Sequence, residues 1–248
     1  MTSDEQDCKL PMNDKRPRKM EIPNRQSTIS NRQFSRSSLF LASSNPGKLR
    51  EFRSAATARN IYLESLPGFA DLAACVEDGA TFEENARKKA IHYSRACPGL
   101  IFADDSGLCV DALDGAPGVY SARYAGPQAT DEQNNQRLLA DLHQAEGRRR
   151  ADAAHSQGPH GLFNRAAHYI CVIALAEAGQ VITVVEGRAD GVIINEPRGT
   201  GGFGYDPYFL YPPMGKTFAE ILPEEKFAVS HRGAAFRKLL DYLSGASY

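Results

Sequence analysis

The sequence predicts an α/β protein with a mixed, twisted sheet and flanking helices. Two observations lead to this fold class. Short apolar runs typical of buried strands alternate with amphipathic segments typical of helices across residues 38–248. In addition, two β-rich runs, Tyr169 to Ala176 and Val181 to Glu186, flank a turn at 177–180 and read as a hairpin. A hairpin adds antiparallel pairing to βαβ units, so the sheet should be mixed.

Composition excludes several classes of protein. The 248 residues are 42% hydrophobic and 24% charged, as in globular proteins, and allow one large α/β domain or two small ones. A formal net charge of -1 argues against nucleic-acid binding through a broad electrostatic field. The longest apolar run, Tyr169 to Ala176, is far shorter than the ~20 residues that cross a bilayer. The N-terminal residues lack the apolar core of a signal peptide, so we expect a cytoplasmic protein.

Two stretches have few periodic apolar positions. Residues 1–37 are rich in Arg, Ser, Asn and Gln, and we expect them to form a disordered tail before a domain at 38–248. Residues 144–164 contain a basic triplet, glycines and histidines, which predict a long surface loop. The five cysteines include no CxxC pair and no His at zinc spacing, so we expect reduced, mostly buried thiols.

The predicted elements begin at recognisable start signals. Asn45 is a favourable helix N-cap with Pro46 at the first helical position, and Thr81 with Glu84 forms a capping box. Thr130 and Gln133 have the same spacing. Besides the hairpin, we predict strands at 39–42, 61–66, 100–103 and 191–195. We predict helices at 46–56, 81–95, 130–142 and 230–243. The last helix has Phe236, Leu239, Leu240 and Leu243 at helical spacing.

The first candidate site lies where a strand passes into a helix. Free backbone N–H groups, the positive end of the helix dipole, hydroxyls and a lysine meet there, and together they suit phosphate oxygens. The same residues also fit a capped helix with an exposed lysine. A Walker A loop is excluded, because Ala42 and Leu49 stand where that motif needs Gly and Ser or Thr. The residues of this segment are Ser43, Ser44, Asn45, Pro46, Gly47 and Lys48.

The second candidate is the pair Asp104 and Asp105, followed by Ser106, at the predicted end of an apolar strand. Two carboxylates at the C-terminal edge of a sheet suit a divalent metal and a general base. Adjacent strand residues face opposite ways, so only one of the pair should face the ligand unless the strand breaks. An Asp pair before Gly107 also fits a plain turn. Metal chemistry would need more carboxylates, and Glu77 and Glu84 are the upstream candidates.

Two further segments lie in the C-terminal half. Residues 199–206 contain a GxGxxG pattern, but no helix follows it, so a Rossmann site is rejected. This loop could instead bring Phe203 or Tyr205 onto a flat ligand, or its aromatics could simply fill the core. Ser230 is an N-cap candidate that places His231 and Arg232 at a helix start, where an anion or carbonyl could bind, although a histidine there is often only a surface residue.

Together these segments resemble the inosine triphosphate pyrophosphatase family, in its bacterial dITP/XTP pyrophosphatase branch. The resemblance covers residues 39–245 apart from 144–164, and it rests on SSNPGKLRE, EDGATFEENARKKA, FADDSGLCVDALDGAPGVYSARYAG, GTGGFGYDPYF and GKTFAEILPEEKFAVSHRG. It implies hydrolysis of deaminated purine nucleoside triphosphates (ITP, dITP, XTP) to the monophosphate and pyrophosphate. It also implies dependence on Mg²⁺, with Mn²⁺ as the alternative, an elongated two-lobed fold and a homodimer.

The resemblance also implies roles for individual residues. Asp105 matches the proton acceptor and Mg²⁺ ligand, and Glu77 matches the second acid at the metal. Lys48 and the segment before it match the triphosphate loop, and Ser106 matches a substrate contact. The nucleoside loop matches Phe203, Gly204, Tyr205 and Asp206, and the segment that holds base and phosphates matches Lys226, His231 and Arg232. The chain departs from the pattern at Asp78, where many relatives have threonine.

Two other functions compete with this one. A non-catalytic nucleotide-binding protein is disfavoured by the intact pair Asp104 and Asp105. A pyrophosphatase for other modified or pyrimidine nucleotides is disfavoured by the pair His231 and Arg232. Selection of inosine or xanthine over adenine can rest on donors aimed at the 6-oxo group, and such matching can discriminate by about 10⁴.

Overall fold

A single mixed sheet of seven strands organises the part of the chain that the computed structural model describes, residues 39–154 and 164–245. Its order is β2-β1-β3-β4-β5-β6-β7, with β1, β2 and β3 parallel and the remaining neighbours antiparallel. The strands are β1 Leu39–Leu41, β2 Leu63–Ser65, β3 Leu100–Val110, β4 Ala166–Glu177, β5 Gln180–Ile193, β6 Phe209–Tyr211 and β7 Lys216–Thr217. The predicted mixed α/β class and the hairpin, formed by β4 and β5, are confirmed.

In the described part of the chain, five α-helices flank this sheet: α1 Pro46–Thr57, α2 Phe82–Ser94, α3 Asp131–Ala154, α4 Pro223–Val229 and α5 His231–Leu243. The predicted N-caps form. Asn45 Oδ1 accepts from the Gly47 N–H at 2.8 Å, and Thr81 Oγ1 accepts from the Glu84 N–H at 3.1 Å. Within residues 39–154 and 164–245, no helix combines the length and apolar character needed to cross a membrane.

The core is divided by the sheet into layers. On one face, α1 and α5 pack against β1 and β3, and the Phe52 ring lies 5.3 Å from Phe102 and 4.8 Å from Phe236. On the other face, α2 packs against the alternate residues of the same strands, with Ala86 and Ala90 fully buried. The inner strands are therefore covered on both sides, which explains their continuous apolar character.

Close packing brings the start of α5 against the hairpin. Gly187 lies on β5, and a Cβ built at this position would overlap the backbone of His231 and Ala235. Only a residue without a side chain allows α5 to approach this closely. The approach matters for the site because α5 begins with His231 and Arg232.

Three predicted boundaries are wrong. The strand predicted to end at Ala103 continues to Val110, because β4 pairs with it throughout, so Asp104 and Asp105 lie within a strand. The separate strand predicted at 191–195 does not form: residues 191–193 are the end of β5, and residues 194 and 195 are not in a strand. Helix α3 does not stop at 142 but continues to Ala154, so residues 144–154 of the predicted loop are helical.

Helix continuation at 144–154 has a local cause. The segment is rich in Ala, Arg, Gln and Glu, which are good helix formers, and these outweigh the cost of Gly147, about 1 kcal/mol. Glu146 also forms an ion pair with Arg165 at 2.8 Å, which ties this turn to the start of β4. The remainder of the predicted loop, residues 155–163, and the predicted tail at 1–37 lie outside the described residues.

Candidate active site

The site lies at a gap in the edge of β3. β1 pairs with β3 only over Leu39–Leu41, and the Ala42 N–H makes a last bond to the Phe102 carbonyl. β3 then continues, and its Leu108 N–H donates to Ser121 Oγ. A cavity of about 540 Å³ opens in this gap, and every residue predicted for the site lines it except Pro46 and Gly47.

The start of α1 forms one wall of the cavity. Ser43 Oγ accepts from the Asn45 N–H at 3.2 Å, and Asn45 Oδ1 accepts from the N–H groups of Gly47 and Lys48. The Lys48 side chain turns into the cavity and donates from Nζ to Asp104 Oδ2 at 2.7 Å. A cation and the positive end of a helix therefore lie side by side, as an anion site requires.

Asp104 faces the α1 and α5 side of the sheet and is only 2% exposed. Ser106 Oγ donates to its Oδ2, while Arg232 Nε lies 4.0 Å from the same oxygen. Burial by itself raises the pKa of Asp104, but the charges of Lys48, Arg232 and Lys89 outweigh it and lower the pKa to about 2. Asp104 is thus an ionised carboxylate that holds cations in place.

Asp105 faces the opposite side of the sheet, toward α2. Its Oδ1 accepts from Lys89 Nζ at 3.1 Å, and its Oδ2 accepts from Asn85 Nδ2 at 3.2 Å. Burial raises the pKa of Asp105 above its ordinary value, and the Lys89 charge opposes that rise without cancelling it. A cavity carboxylate with a raised pKa is the usual form of a general base.

Lys89 connects Asp105 to the acidic segment before α2. Its Nζ donates to Glu77 Oε2 at 2.8 Å as well as to Asp105, so both carboxylates contact one ammonium group. The neighbouring Asp78 instead pairs with Lys88 at the surface, at 2.6 Å. Of the two adjacent acids, Glu77 therefore lines the cavity and Asp78 does not.

A divalent cation would find hard oxygen ligands here. Among residues 39–154 and 164–245, no group of three or more His, Cys, Asp or Glu side chains could hold a metal by itself. Glu77 and Asp105 supply two carboxylates that face one point, which Lys89 Nζ occupies. Mg²⁺ commonly binds through one or two carboxylates together with substrate phosphates, so this pair fits a metal that arrives with its substrate.

The glycine-rich loop forms the opposite wall. Asp206, 3% exposed, accepts from the Phe203 N–H at 2.9 Å and from Lys226 Nζ at 2.5 Å. Phe203 is 37% exposed, with Lys226 Nζ and Arg232 Cζ at 5.2 and 5.3 Å from its ring centroid. Tyr205 is buried and donates to the Ser121 carbonyl. Phe203, and not Tyr205, is thus the aromatic ring available for stacking.

The first residues of α5 complete the cavity. Ser230 caps the helix by accepting from the Gly233 N–H at 3.2 Å. His231 stacks on Tyr169 with ring centroids 4.6 Å apart, and burial together with the Arg232 charge holds the pKa of His231 well below its ordinary value. His231 and Arg232 are each 4% exposed, so the surface interpretation of this histidine is wrong.

Two polar atoms at this position have no hydrogen-bond partner among the described residues. They are Nδ1 of His231 and Nε of Arg232, both buried. The other side of the Arg232 guanidinium is fixed, because Nη1 donates to Glu51 Oε2 at 2.7 Å. Unsatisfied buried donors and acceptors are costly, and the two residues that carry these atoms line the cavity.

Three residues of this arrangement are not singled out by any sequence pattern: Glu51, Asn85 and Lys89. Glu51 is one of several charged residues on α1, and Lys89 reads as part of a basic helix face. The one available signal is that Asn85 and Lys89 are four positions apart, which places both on the same face of α2.

Comparisons with known proteins give a consistent family assignment. Residues 39–242 match the profile of the Ham1 family. A dITP/XTP pyrophosphatase from Acidobacterium capsulatum is 46% identical over 216 residues, covering 84% of this chain and 98% of that protein. One from Geobacter sulfurreducens is 46% identical over 205 residues, covering 83% and 96%.

Solved structures agree with the sequence comparison. A HAM1 protein from Coxiella burnetii superimposes with a TM-score of 0.72 at 38% identity, covering 85% of this chain and 100% of that one. The nucleoside-triphosphatase, or dITP/XTP pyrophosphatase, from Mycobacterium abscessus superimposes with a TM-score of 0.58 at 39% identity, covering 82% and 98%. On the evidence of both sequence and fold, this chain belongs to the Ham1 family.

Proposed function

We propose that this protein hydrolyses deaminated purine nucleoside triphosphates (ITP, dITP and XTP) to the monophosphate and pyrophosphate. The observation that carries the proposal is the joint lining of one cavity: a capped helix start with Lys48, the carboxylate of Asp105 with its raised pKa, and the exposed ring of Phe203. The helix start with Lys48 suits the phosphates, Asp105 suits the attacking water, and Phe203 suits the purine. Relatives named dITP/XTP pyrophosphatase support the same substrate class.

The phosphates would bind at the start of α1. The Lys48 ammonium and the positive end of the α1 dipole act on negative charge, and Ser43 and Ser44 line the same wall. Asp104 positions the Lys48 ammonium through the 2.7 Å contact. Charge that develops on the leaving pyrophosphate would be stabilised by groups already in place, which is the most effective form of electrostatic catalysis.

Asp105 would act as the general base. Lys89 and Asn85 hold its two oxygens, which fixes the direction in which the carboxylate accepts a proton. The carboxylate takes the proton from a water molecule as the water oxygen attacks the α-phosphorus, and the bond between the α-phosphorus and the bridging oxygen breaks to release pyrophosphate. A raised pKa brings the base closer to the operating pH and so favours the transfer.

Glu77 and Asp105 would hold the Mg²⁺, or Mn²⁺ in its place. When bound, the cation neutralises phosphate charge and polarises the phosphorus–oxygen bonds. The paired carboxylates support this assignment, and the Lys89 ammonium that contacts both of them would have to move aside for the cation. Asp78 takes no part, because its carboxylate is directed toward Lys88.

Base selection would come from the buried polar groups at the start of α5. The Arg232 Nε–H is a buried donor without a hydrogen-bond partner, and Nδ1 of the neutral His231 ring is likewise buried and unbonded. A 6-oxo purine offers an acceptor at C6 where adenine offers a donor, and adenine would leave the buried guanidinium N–H unsatisfied. A mismatch of this type can cost about 10⁴ in kcat/KM. Phe203 would stack on the base without discriminating between purines.

The family resemblance further supports a homodimer that works in the cytoplasm, where nucleoside triphosphates are made and consumed. Sedimentation equilibrium of the purified chain would test the dimer. A mass of twice 27.1 kDa is expected, and a mass of 27.1 kDa would contradict it.

The activity itself is tested by measuring product release over ITP, XTP, dITP, GTP, ATP and dUTP with Mg²⁺ present. Pyrophosphate and the nucleoside monophosphate should appear in equal amounts from the three deaminated purines, and much more slowly from GTP and ATP. Release of inorganic phosphate instead of pyrophosphate would overturn the proposed bond cleavage. Tight binding of ITP without turnover would favour a non-catalytic nucleotide-binding protein.

A further inference from the structure

The backbone N–H and C=O of Gly204 are both hydrogen-bonded to side chains in the first turns of α3. Asp131 Oδ2 accepts from the Gly204 N–H at 2.6 Å, and Asn135 Nδ2 donates to the Gly204 carbonyl at 2.9 Å. Gly204 lies between Phe203 and Tyr205 and has φ +62°, a left-handed conformation that other residues rarely adopt. Both backbone hydrogen-bonding groups of this loop residue are thus fixed by one distant helix.

The same turn of α3 also holds the neighbouring wall of the cavity. Asn134, 3% exposed, accepts from the Ala125 N–H at 2.8 Å and donates to the Ala122 carbonyl at 3.3 Å. Ala122 and Gly204 both line the cavity. One helical turn therefore holds both the 122–125 segment and the Gly204 loop, and so sets the spacing between these two parts of the cavity lining.

Capping of α3 does not account for Asp131. Thr130 and Gln133 form a reciprocal capping box, with the Gln133 N–H donating to Thr130 Oγ1 at 3.2 Å and the Thr130 N–H donating to Gln133 Oε1 at 2.8 Å. The adjacent Glu132 supplies the same negative charge to the first turn and contacts Gln136 on its own helix. Asp131 differs from Glu132 in its bond to the loop.

We propose that Asp131 and Asn135 are positioning residues that hold the Phe203–Asp206 loop in its nucleoside-binding conformation before the substrate arrives. The inference rests on the proposed function, because it takes Phe203 to stack on the purine. Fixing a loop in advance lowers the entropy cost of binding. The loop touches the nucleoside and not the reacting phosphorus, so its disorder raises KM and leaves kcat nearly unchanged.

A fluorescent probe can follow the loop without relying on activity. The chain contains no tryptophan, so Phe203→Trp places its single tryptophan on the loop, and this indole can be excited separately from the tyrosines. In that background, Asp131→Ala should increase quenching by acrylamide by about twofold, since a loop with fewer fixed contacts opens more often. Glu132→Ala removes an equal charge from the same turn and should leave quenching unchanged. Asp131→Asn keeps an acceptor for the Gly204 N–H and should restore most of the protection.

Kinetics of the chain with Phe203 intact provide the second measurement. Loss of a charge-assisted hydrogen bond predicts that Asp131→Ala raises the KM for ITP about tenfold while kcat changes by less than about threefold. Inhibition by pyrophosphate should not change, because pyrophosphate would bind at the start of α1, whereas Asp131 bonds to the Gly204 N–H. Asn135→Asp, which sets an acceptor against the Gly204 carbonyl, should act in the same direction. Melting temperatures identify any variant that fails to fold.

The outcomes separate the two proposals. If the wild-type chain does not hydrolyse ITP, the proposed function fails, and the quenching comparison still decides whether the loop is held by α3. If Asp131→Ala matches Glu132→Ala in both quenching and KM, the positioning role is overturned. It is also overturned if Asp131→Ala lowers kcat and weakens pyrophosphate inhibition to the same extent as it raises KM, because that pattern reports a general loss of structure.

Discussion

Asp104 and Asp105 are consecutive residues of β3 that serve opposite faces of the sheet, with Asp104 bonded to Lys48 of α1 and Asp105 bonded to Lys89 of α2. Both nevertheless line one cavity, because β1 ends alongside Phe102 and leaves the edge of β3 open at this point. Because successive side chains of a strand point to opposite faces, the two carboxylates have different partners. Their pKa values shift in opposite directions, lowered for Asp104 and raised for Asp105.

Asp105→Asn should reduce kcat for ITP by at least ~10², in the range expected for loss of a general base. The amide keeps the size of the side chain and an oxygen for Lys89, so the melting temperature should stay close to that of the wild type. Steady-state kinetics and thermal unfolding of the purified variant check both statements. Near-normal turnover would mean that another group removes the proton.

Lys48→Ala should weaken binding of pyrophosphate far more than binding of inosine, because the ammonium acts on phosphate charge. Calorimetric titration of both ligands measures the two losses. Arg50→Ala is the matched control, since Arg50 is an exposed cation on the same helix, and it should change neither affinity. Equal losses for the two ligands in Lys48→Ala would mean that Lys48 does not contact the phosphates.

Glu77→Gln should raise the Mg²⁺ concentration needed for half-maximal activity, by about tenfold if one of two carboxylate ligands is lost. Asp78→Asn removes the same charge one residue away and should leave the requirement unchanged, because Asp78 pairs with Lys88 at the surface. Activity measured against Mg²⁺ at saturating ITP distinguishes them. The reverse ranking would assign the metal to Asp78.

Glu220→Gln should destabilise the protein at neutral pH and matter less in acid. Hydrogen bonds from Arg198, followed by the Thr217 N–H, lower the pKa of Glu220 from 4.5 to about 2. The folded state therefore binds fewer protons than the unfolded state, and this stabilisation is complete above the unfolded pKa and is lost as the pH falls toward 2.

Urea unfolding between pH 7 and pH 3 would test this linkage. The difference in free energy of unfolding between wild type and Glu220→Gln should be constant from pH 7 to about pH 5 and should shrink below that. Glu196→Gln, at an exposed position, provides the comparison for loss of a surface charge. A difference for Glu220→Gln that stays constant down to pH 3 would contradict the assigned ion pair.

Gly187→Ala should lower stability by about 1–3 kcal/mol or more, because the added methyl group would overlap the backbone of α5 at His231 and Ala235. Any relaxation must move the start of α5 away from β5. ITP affinity should fall together with the melting temperature, since His231 and Arg232 line the cavity. Gly147→Ala, where a Cβ meets no atom within 4 Å, is the matched control and should not destabilise the fold.

Much of the secondary structure of this protein is predictable from the local sequence. Helix starts at Asn45 and Thr81 depend on a side chain and a backbone N–H two or three residues away, so their signals are complete within one turn. The strand–helix alternation and the hairpin likewise follow from periodicity over a few residues. The same locality explains the errors: whether β3 stops at Ala103 or continues depends on pairing with β4, which begins more than sixty residues later.

The sequence by itself determined the order of the motifs, the family resemblance and the residue types available for chemistry. Only the tertiary structure decided which of these side chains meet. Arg232 is fixed by Glu51, 181 positions away, and Lys48 by Asp104, 56 positions away. Such ion pairs leave no signal in the local sequence. The partner of a buried charge is determined by the packing of elements that are distant in the chain, and not by the neighbouring residues.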